Sequence, residues 1–254
     1  CEDLGRRGTR VVVADVNSEG AEQVAAGISS AGGQADAARL DVTLSDQIRK
    51  LIDQTASKHG RLDYMFNNAG IATLGEVRDM TPEQWDRIIR INLMGVVYGT
   101  TAAYSLMVKQ GFGHIVNTAS QAGLYPVAGT TSYALTKHGV VGLSTSLRAE
   151  GAGLGVKVSV ICPMNIRSKM VEGSITVLGV EDKDWFGKIP VKWMDTNLAA
   201  KEMLKGVARN KGVIVVPSRM RILWWLFRIH PGFFDRTVAK GTMDWFRKAR
   251  KGQK

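Results

Sequence analysis

Ser120, Tyr133 and Lys137 are the residues of this chain whose types and spacing suit chemistry best. Tyr133 and Lys137 are four positions apart, so on a helix both side chains project from one face, a turn apart. A free phenol titrates near ~10 and carries protons poorly at neutral pH. An ammonium a few ångströms away favours the phenolate, so Lys137 is expected to lower the Tyr133 pKa, each unit corresponding to about 1.36 kcal/mol of preferential interaction with the ionised form. Ser120, expected at the end of a preceding strand, supplies a neutral hydroxyl that can hold a substrate oxygen beside the phenol. The chemistry is proton transfer to or from an oxygen.

Apolar β-branched runs alternating with longer amphipathic stretches must position these groups. That alternation predicts strand-helix-strand units and a doubly wound parallel sheet between two helical layers, an α/β/α Rossmann-like fold. Strands are expected at about residues 10–14, 35–40, 62–66, 113–119, 156–161 and 213–216, and helices over 18–31, 45–59, 81–110 and 132–151. Thr81, Pro82 and Glu83 read as an N-cap followed by a first-turn proline. Residues 164–196 show no clean period but hold Met170, Val171, Ile175, Val177, Leu178, Trp185 and Phe186. They read as a lid over a site, with a disordered insertion as the other reading.

At 254 residues, 44% hydrophobic and 22% charged, the chain fits one ordinary globular enzyme domain. The net charge of +11 raises the question of nucleic acid, and its location answers it. From Pro217 onward, ten Lys or Arg face only Asp235 and Asp244, a balance of +8 that leaves +3 for everything before. A nearly neutral body with a basic tail predicts no nucleic-acid partner. Two cysteines, Cys1 and Cys162, with Cys162 in an apolar run, fit a reducing, cytoplasmic setting and a core role for Cys162. No apolar run reaches the ~18 residues of a membrane span, the nearest being 222–229. His59, His114, His138 and His230 are dispersed, and no metal site is predicted. Because the first residue is Cys1, a targeting segment ahead of it cannot be read.

Asn67, Asn68, Ala69 and Gly70 follow the third expected strand, at the carboxyl end where an open α/β sheet binds ligands. Small residues there let a flat ligand approach the backbone, and an amide can bridge strands; an ordinary turn is the competing reading. Asp15 closes the first strand, where a dinucleotide fold uses an acid for the adenosine ribose hydroxyls. A carboxylate there repels a 2′-phosphate, favouring NAD over NADP. Its other reading is an N-cap, a role open to Asn17 or Ser18. Asp41, with Val42, ends the second strand and could accept from an adenine amino group or cap the next helix. Asn92 falls inside a helical stretch, as a local irregularity holding a water or as a solvated helix asparagine.

With Asp15, Asp41-Val42, Asn67-Asn68-Ala69-Gly70, Asn92, Ser120, Tyr133 and Lys137 in this order, the chain resembles a classical short-chain dehydrogenase/reductase from Cys1 to about Pro217. The resemblance implies a tetrad of Asn92, Ser120, Tyr133 and Lys137 and a nicotinamide cofactor. Tyr133 would exchange the proton with the substrate oxygen, Ser120 would position that oxygen, Lys137 would also bond the nicotinamide ribose, and Asn92 would support a water relay. Cofactor contacts are implied at Asp15, Asp41, Val42, Asn68, Ala69, Gly70, Tyr133, Lys137, Pro163, Ile166 and Ser168. The expected activity is hydride transfer between NAD(H) and a secondary alcohol or ketone, lipophilic in view of Leu124, Tyr125 and Val127. The small-molecule substrate would be handled by a homo-oligomer built through helices 81–110 and 132–151.

The chain departs from the family pattern in two places. No initial strand and TGxxxGxG loop for the pyrophosphate precede residues 1–8, which resemble the end of the first helix. The chain is therefore expected to be a piece of a longer product with two unpaired strand edges. Without that loop, a non-catalytic binding or scaffold protein is the alternative, and a sugar-nucleotide epimerase or dehydratase is a third, opposed by the Asn67 to Gly70 turn. Met164 stands where the family has glycine, which puts the backbone there in question. The expected division is a domain over 1–217 and an aromatic-rich basic extension over 218–254, which either packs on the body or meets an anionic membrane surface.

Overall fold

The computed structural model describes residues 1–167, 175–179 and 192–251. Helix α1 (Glu2–Arg6) leads into β1 (Arg10–Asp15), α2 (Ser18–Ser30), β2 (Gln34–Arg39), α3 (Ser45–His59), β3 (Tyr64–Asn67) and β4 (Ala72–Leu74). A long helical stretch follows as α4 (Pro82–Ile89), a π-turn (Arg90–Met94) and α5 (Gly95–Gln110), then β5 (Gly113–Thr118), α6 (Thr131–Gly151) and β6 (Val156–Pro163). The remainder is β7 (Ile175–Val177), α7 (Thr196–Ala208), β8 (Val213–Val216), α8 (Arg221–Ile229), α9 (Pro231–Phe234), a second π-turn (Asp235–Ala239) and α10 (Lys240–Lys251). All six expected strands are present, displaced by a residue or two. The short β4 and β7, three residues each, lie below the length at which a periodic pattern can be read.

Every strand pair is parallel. β3, β5, β6 and β8 form a four-stranded sheet in the order 3-5-6-8, β1 pairs with β2, and β4 pairs with β7. Among the described residues β1 and β3 are not bonded to each other, so one edge of each is unpaired, as expected for a Rossmann-like sheet without its first family strand. The β1-β2 pair is tied to the main sheet through the helix that follows it. Leu40, Ile48 and Ile52 pack into one cluster with Ala103, Met107, Ile115 and Val158.

Alternation along the strands builds a core on both faces of the sheet. Ile115, Val158, Val160, Cys162 and Val215 face α5 and α6, whereas Val116, Ile161, Ile214 and Val216 face Ala199 and Val207 of α7. Burying side chains of this size stabilises by about 1.5 to 3 kcal/mol each. Thr81 starts α4 with a reciprocal capping box to Gln84, with Pro82 in the first turn. Gly111, left-handed at φ 76°, ends α5. By length and composition Pro82–Gln110 could cross a membrane, at 29 residues with a mean hydropathy of 1.3 in its most apolar window. The sequence-based expectation of no such run is corrected here: residues 91–108 carry no charged side chain, although Asn92, Thr100, Thr101 and Ser105 break a strictly apolar run. Its Val96, Ala103 and Met107 lie in the core clusters, the placement of a core helix.

His114 on β5 is buried, with Nε2 2.8 Å from Ser159 Oγ. Burial, with Lys157 and Arg148 nearby, pulls its pKa down to about 4. The unfolded chain takes up a proton near the ordinary value of ~6.5 that the folded chain still refuses, so this group makes stability fall as pH drops from about 6.5 to about 4, by about 3 kcal/mol in full. His114→Gln is expected to flatten that part of the stability-pH curve in urea unfolding. An unchanged slope would assign the proton uptake elsewhere.

Candidate active site

The expected site residues stand at the carboxyl ends of successive parallel strands: Asp15 after β1, Asp41 and Val42 after β2, Asn68 to Gly70 after β3, Ser120 just past β5, and Pro163 to Ile166 at the end of β6. Asn67 is buried and donates to Asn117 Oδ1 at 2.8 Å and Thr100 Oγ1 at 3.2 Å, bridging β3 to β5. Thr118 donates to Asn68 Oδ1 at 3.1 Å. The segment is therefore a strand-bridging turn held by side chains from the neighbouring strand.

Helix α6 begins at Thr131, placing Tyr133 and Lys137 one turn apart. The Ser120 hydroxyl lies near enough to the Tyr133 phenol to favour its ionised form, and it accepts from the Ala122 N–H at 3.3 Å. Lys137 is 2% exposed and donates from Nζ to the Thr118 carbonyl at 2.9 Å, lying over the Tyr133 ring 5.5 Å from its centroid. Burial dominates the electrostatics of all three buried groups. It raises the Tyr133 phenol above its ordinary value, with the Ser120 hydroxyl pulling the other way. It lowers Lys137 to about 8, and it pushes the Cys162 thiol up to about 12.

The expected lowering of Tyr133 by Lys137 is thus corrected: the ammonium is aimed at a backbone carbonyl and sits over the ring face, while desolvation acts directly on the phenol oxygen. In this chain Tyr133 is a neutral O–H donor at neutral pH. Cys162 is a neutral core thiol, as expected.

Asn92 is fully buried within the π-turn. Its Oδ1 accepts from the Ile71 N–H at 2.8 Å while Nδ2 donates to the Ile71 carbonyl at 2.8 Å and to Thr136 Oγ1 at 3.4 Å. The irregularity expected in this helix is present, and the solvated reading is excluded; the side chain clamps the chain just after Gly70. A Cβ added at Gly70 would lie 3.3 Å from Asn92 Oδ1 and 3.5 Å from Lys137 Nζ, so a larger residue would press on the amide and touch the ammonium. Asn92→Ala is expected to cost about 2 to 3 kcal/mol in urea unfolding, by stranding the Ile71 N–H and C=O. A loss under about 0.5 kcal/mol would show that Ile71 finds other partners.

Asp15 is exposed and accepts from the Asn17 N–H at 3.0 Å, while Asn17 caps α2 through Gly20 N–H. Asp15 is therefore not the cap. Asp41 accepts from the backbone N–H and hydroxyl of Thr43 at 2.9 and 2.7 Å, bonds that hold its carboxyl below the usual range. It does not cap α3, whose N-cap is Leu44. Val42 packs against Gly95, just after the π-turn. The residue in the left-handed region after β6 is Asn165, at φ 49°, so Met164 occupies the glycine position without that conformation. Met164 Sδ instead accepts from Tyr125 Oη at 3.5 Å, and Ile166 forms an isolated bridge with Met194. Ser168, Met170, Val171, Trp185 and Phe186 lie outside the described residues, so the lid expectation is represented only by β7 and its flanks.

Sequence reasoning missed Thr118, whose carbonyl anchors Lys137 and whose hydroxyl anchors Asn68, and Thr136, a partner of Asn92. Thr118 is two residues before Ser120 at a strand end, the one signal that could have marked it. The apolar residues past Ser120 are also already covered: Tyr125 packs against Phe234 and Phe227 at 4.9 and 6.4 Å between ring centroids, in one cluster with Leu124 and Val127.

A Rossmann-like array of parallel strands with a Ser-Tyr-Lys group at their carboxyl ends is the arrangement of a nicotinamide-dependent oxidoreductase. Residues 1–176 match the family model described as short chain dehydrogenase, and the chain belongs to that family. Over 169 residues it is 34% identical to the 3-oxoacyl-(acyl-carrier-protein) reductase FabG of Thermotoga maritima, covering 66% of this chain and 69% of that protein. Over 249 residues it is 30% identical to the putative oxidoreductase SadH of Mycobacterium tuberculosis, covering 96% and 90%. A metagenomic short-chain oxidoreductase solved with NADP has 35% identity and a TM-score of 0.61 over 64% of this chain and 74% of its own. A Burkholderia phymatum short-chain dehydrogenase/reductase solved with NAD shares the fold at 23% identity, with a TM-score of 0.76 over 91% and 88%.

Proposed function

We propose that the protein is an NAD-dependent alcohol dehydrogenase or ketone reductase acting on a lipophilic secondary alcohol or its ketone. The observation that carries this reading is the gathering of the Ser120 hydroxyl, the Tyr133 phenol and Lys137, one helical turn from Tyr133, at the carboxyl end of β5. The cofactor would approach the backbone at Gly70. Asn68, Ala69 and Gly70 would line it, Asp15 would take the adenosine ribose hydroxyls, and Asp41 with Val42 would meet the adenine. Pro163 and Ile166 would border the carboxamide end. Lys137 has two N–H groups beyond the one given to Thr118, enough to bond a ribose hydroxyl. When bound, the nicotinamide supplies or accepts the hydride.

The residues of this chain handle the proton. Tyr133, neutral because it is buried, donates to the carbonyl oxygen as reduction proceeds, and Ser120 holds that oxygen and the phenol in one hydrogen-bonded group. The phenolate left behind is favoured by the neighbouring Ser120 hydroxyl. Asn92 keeps the strand end beside Gly70 in place and leads toward a water relay. With Leu124, Tyr125 and Val127 covered by the C-terminal helices, Met164 at the end of β6 would give the surroundings their apolar character. The protein would act as a cytoplasmic homo-oligomer through α5 and α6, the latter exposing Leu135 at 48%. A second reading, a Rossmann-like binding protein without turnover, draws on the unpaired edges of β1 and β3 among the described residues.

The test is oxidation of NADH and NADPH, followed by absorbance, with ketones of graded chain length. NADH is the expected cofactor, with kcat/KM rising with chain length. Asp15→Ala is expected to raise NADPH use relative to NADH by about tenfold, or about 1.4 kcal/mol. Absence of turnover with either cofactor would favour the binding reading.

A further inference from the structure

The C-terminal helices carry two apolar faces, and the body covers only one. Leu223, Trp224 and Phe227 of α8, with Phe234 after it, pack into the cluster around Tyr125 and Val140. On the opposite side Ile222, Trp225, Leu226 and Ile229 are 64%, 57%, 44% and 60% exposed, and Phe233 continues the surface at 63%. At 3.6 residues per turn the four α8 positions span about 100° of the helix, an unbroken stripe turned to solvent. Scattered single apolar residues need no explanation, but a contiguous stripe on one helix marks an interaction surface.

Charge decides what the stripe meets. Arg221 and Arg228 flank it on α8, Arg219 precedes it, and Arg236 follows, all exposed. No Asp or Glu occurs between Pro217 and Phe234. Arg247 and Arg250 pair with Glu76 and Asp79, fastening α10 to the body. An antiparallel second copy on this face would bring Arg221 of one chain beside Arg228 of the other along one edge, a like-charge contact. A partner surface must be apolar beneath and anionic above.

We propose that α8 docks the protein on an anionic lipid bilayer, with Ile222, Trp225, Leu226, Ile229 and Phe233 immersed at the headgroup boundary and Arg219, Arg221, Arg228 and Arg236 on lipid phosphates. The stripe supplies the buried apolar area, tryptophan suits the interface, and the arginines add attraction of about 1 kcal/mol each near an anionic surface. The docking is independent of which reaction the site catalyses.

The test is co-sedimentation of the full 254-residue chain with vesicles of phosphatidylcholine alone or mixed with about one third phosphatidylglycerol, at low and physiological salt. Binding is expected to the anionic vesicles, several-fold weaker at higher salt and absent on phosphatidylcholine. Leu226→Glu with Ile229→Glu is expected to lower it at least tenfold, with the thermal midpoint unchanged. Arg221→Gln with Arg228→Gln is expected to remove the preference for anionic lipid in a folded chain. Equal binding by the glutamate variant would overturn the proposal. So would no binding to anionic vesicles, or a self-association in sedimentation velocity abolished by that variant while no vesicles are bound.

Discussion

Lys137→Met is expected to make the protein more stable at pH 7 by about 1 to 3 kcal/mol while lowering turnover by at least about 100-fold. Burial has brought the Lys137 pKa from its ordinary 10.5 down to about 8, so the folded chain holds the charged form at a cost that the unfolded chain escapes. That cost is full below about pH 8. Between about 8 and 10.5 the unfolded chain binds the proton and the folded chain does not, so wild-type stability rises with pH and the gain from methionine shrinks to nothing. Losing the bond to the Thr118 carbonyl offsets about 1 kcal/mol of it. Methionine fills similar volume without a charge. Denaturant unfolding of both proteins at pH 7 and pH 10 measures the difference. A variant less stable at both values would make Lys137 a structural tie rather than a strained functional group.

What could be read from the sequence followed periodicity and position. The four-residue spacing of Tyr133 and Lys137 needs only a helix to become a shared face, and Asn67 to Gly70 needs only a strand before it to reach the carboxyl edge. Asp15 separated cleanly from its capping alternative because Asn17, two residues on, is the better cap.

Properties set by depth and by distant contacts were not legible. The pKa of Tyr133 depends on how far its oxygen is from water and on where Nζ of Lys137 points, and neither is encoded in spacing. Asn92 looks mildly unfavourable in a helical window because its partner is a backbone group 21 residues away, beyond local reasoning. The β4-β7 pair brings together strands about a hundred residues apart. The C-terminal extension showed both cations and aromatics in its composition, but only the packing of Phe227 and Phe234 on Tyr125 separates its inward face from its outward one.

The account rests on Tyr133 as the proton donor, and Tyr133→Phe isolates that role because it keeps the ring while removing the hydroxyl. Among the described residues the hydroxyl loses its contact with Ser120, so the folded state should change by about 1 kcal/mol or less, and cofactor affinity, which the proposed site assigns to Lys137 and the Asn68 to Gly70 turn, should change little. The direct measurement is single-turnover oxidation of bound NADH on mixing with a ketone substrate, followed by absorbance in wild type and Tyr133→Phe. The expected result is a rate lower by about 10² to 10⁴ in the variant with NADH binding retained. A variant that oxidises NADH within a few-fold of the wild-type rate would contradict the assignment of the proton to Tyr133.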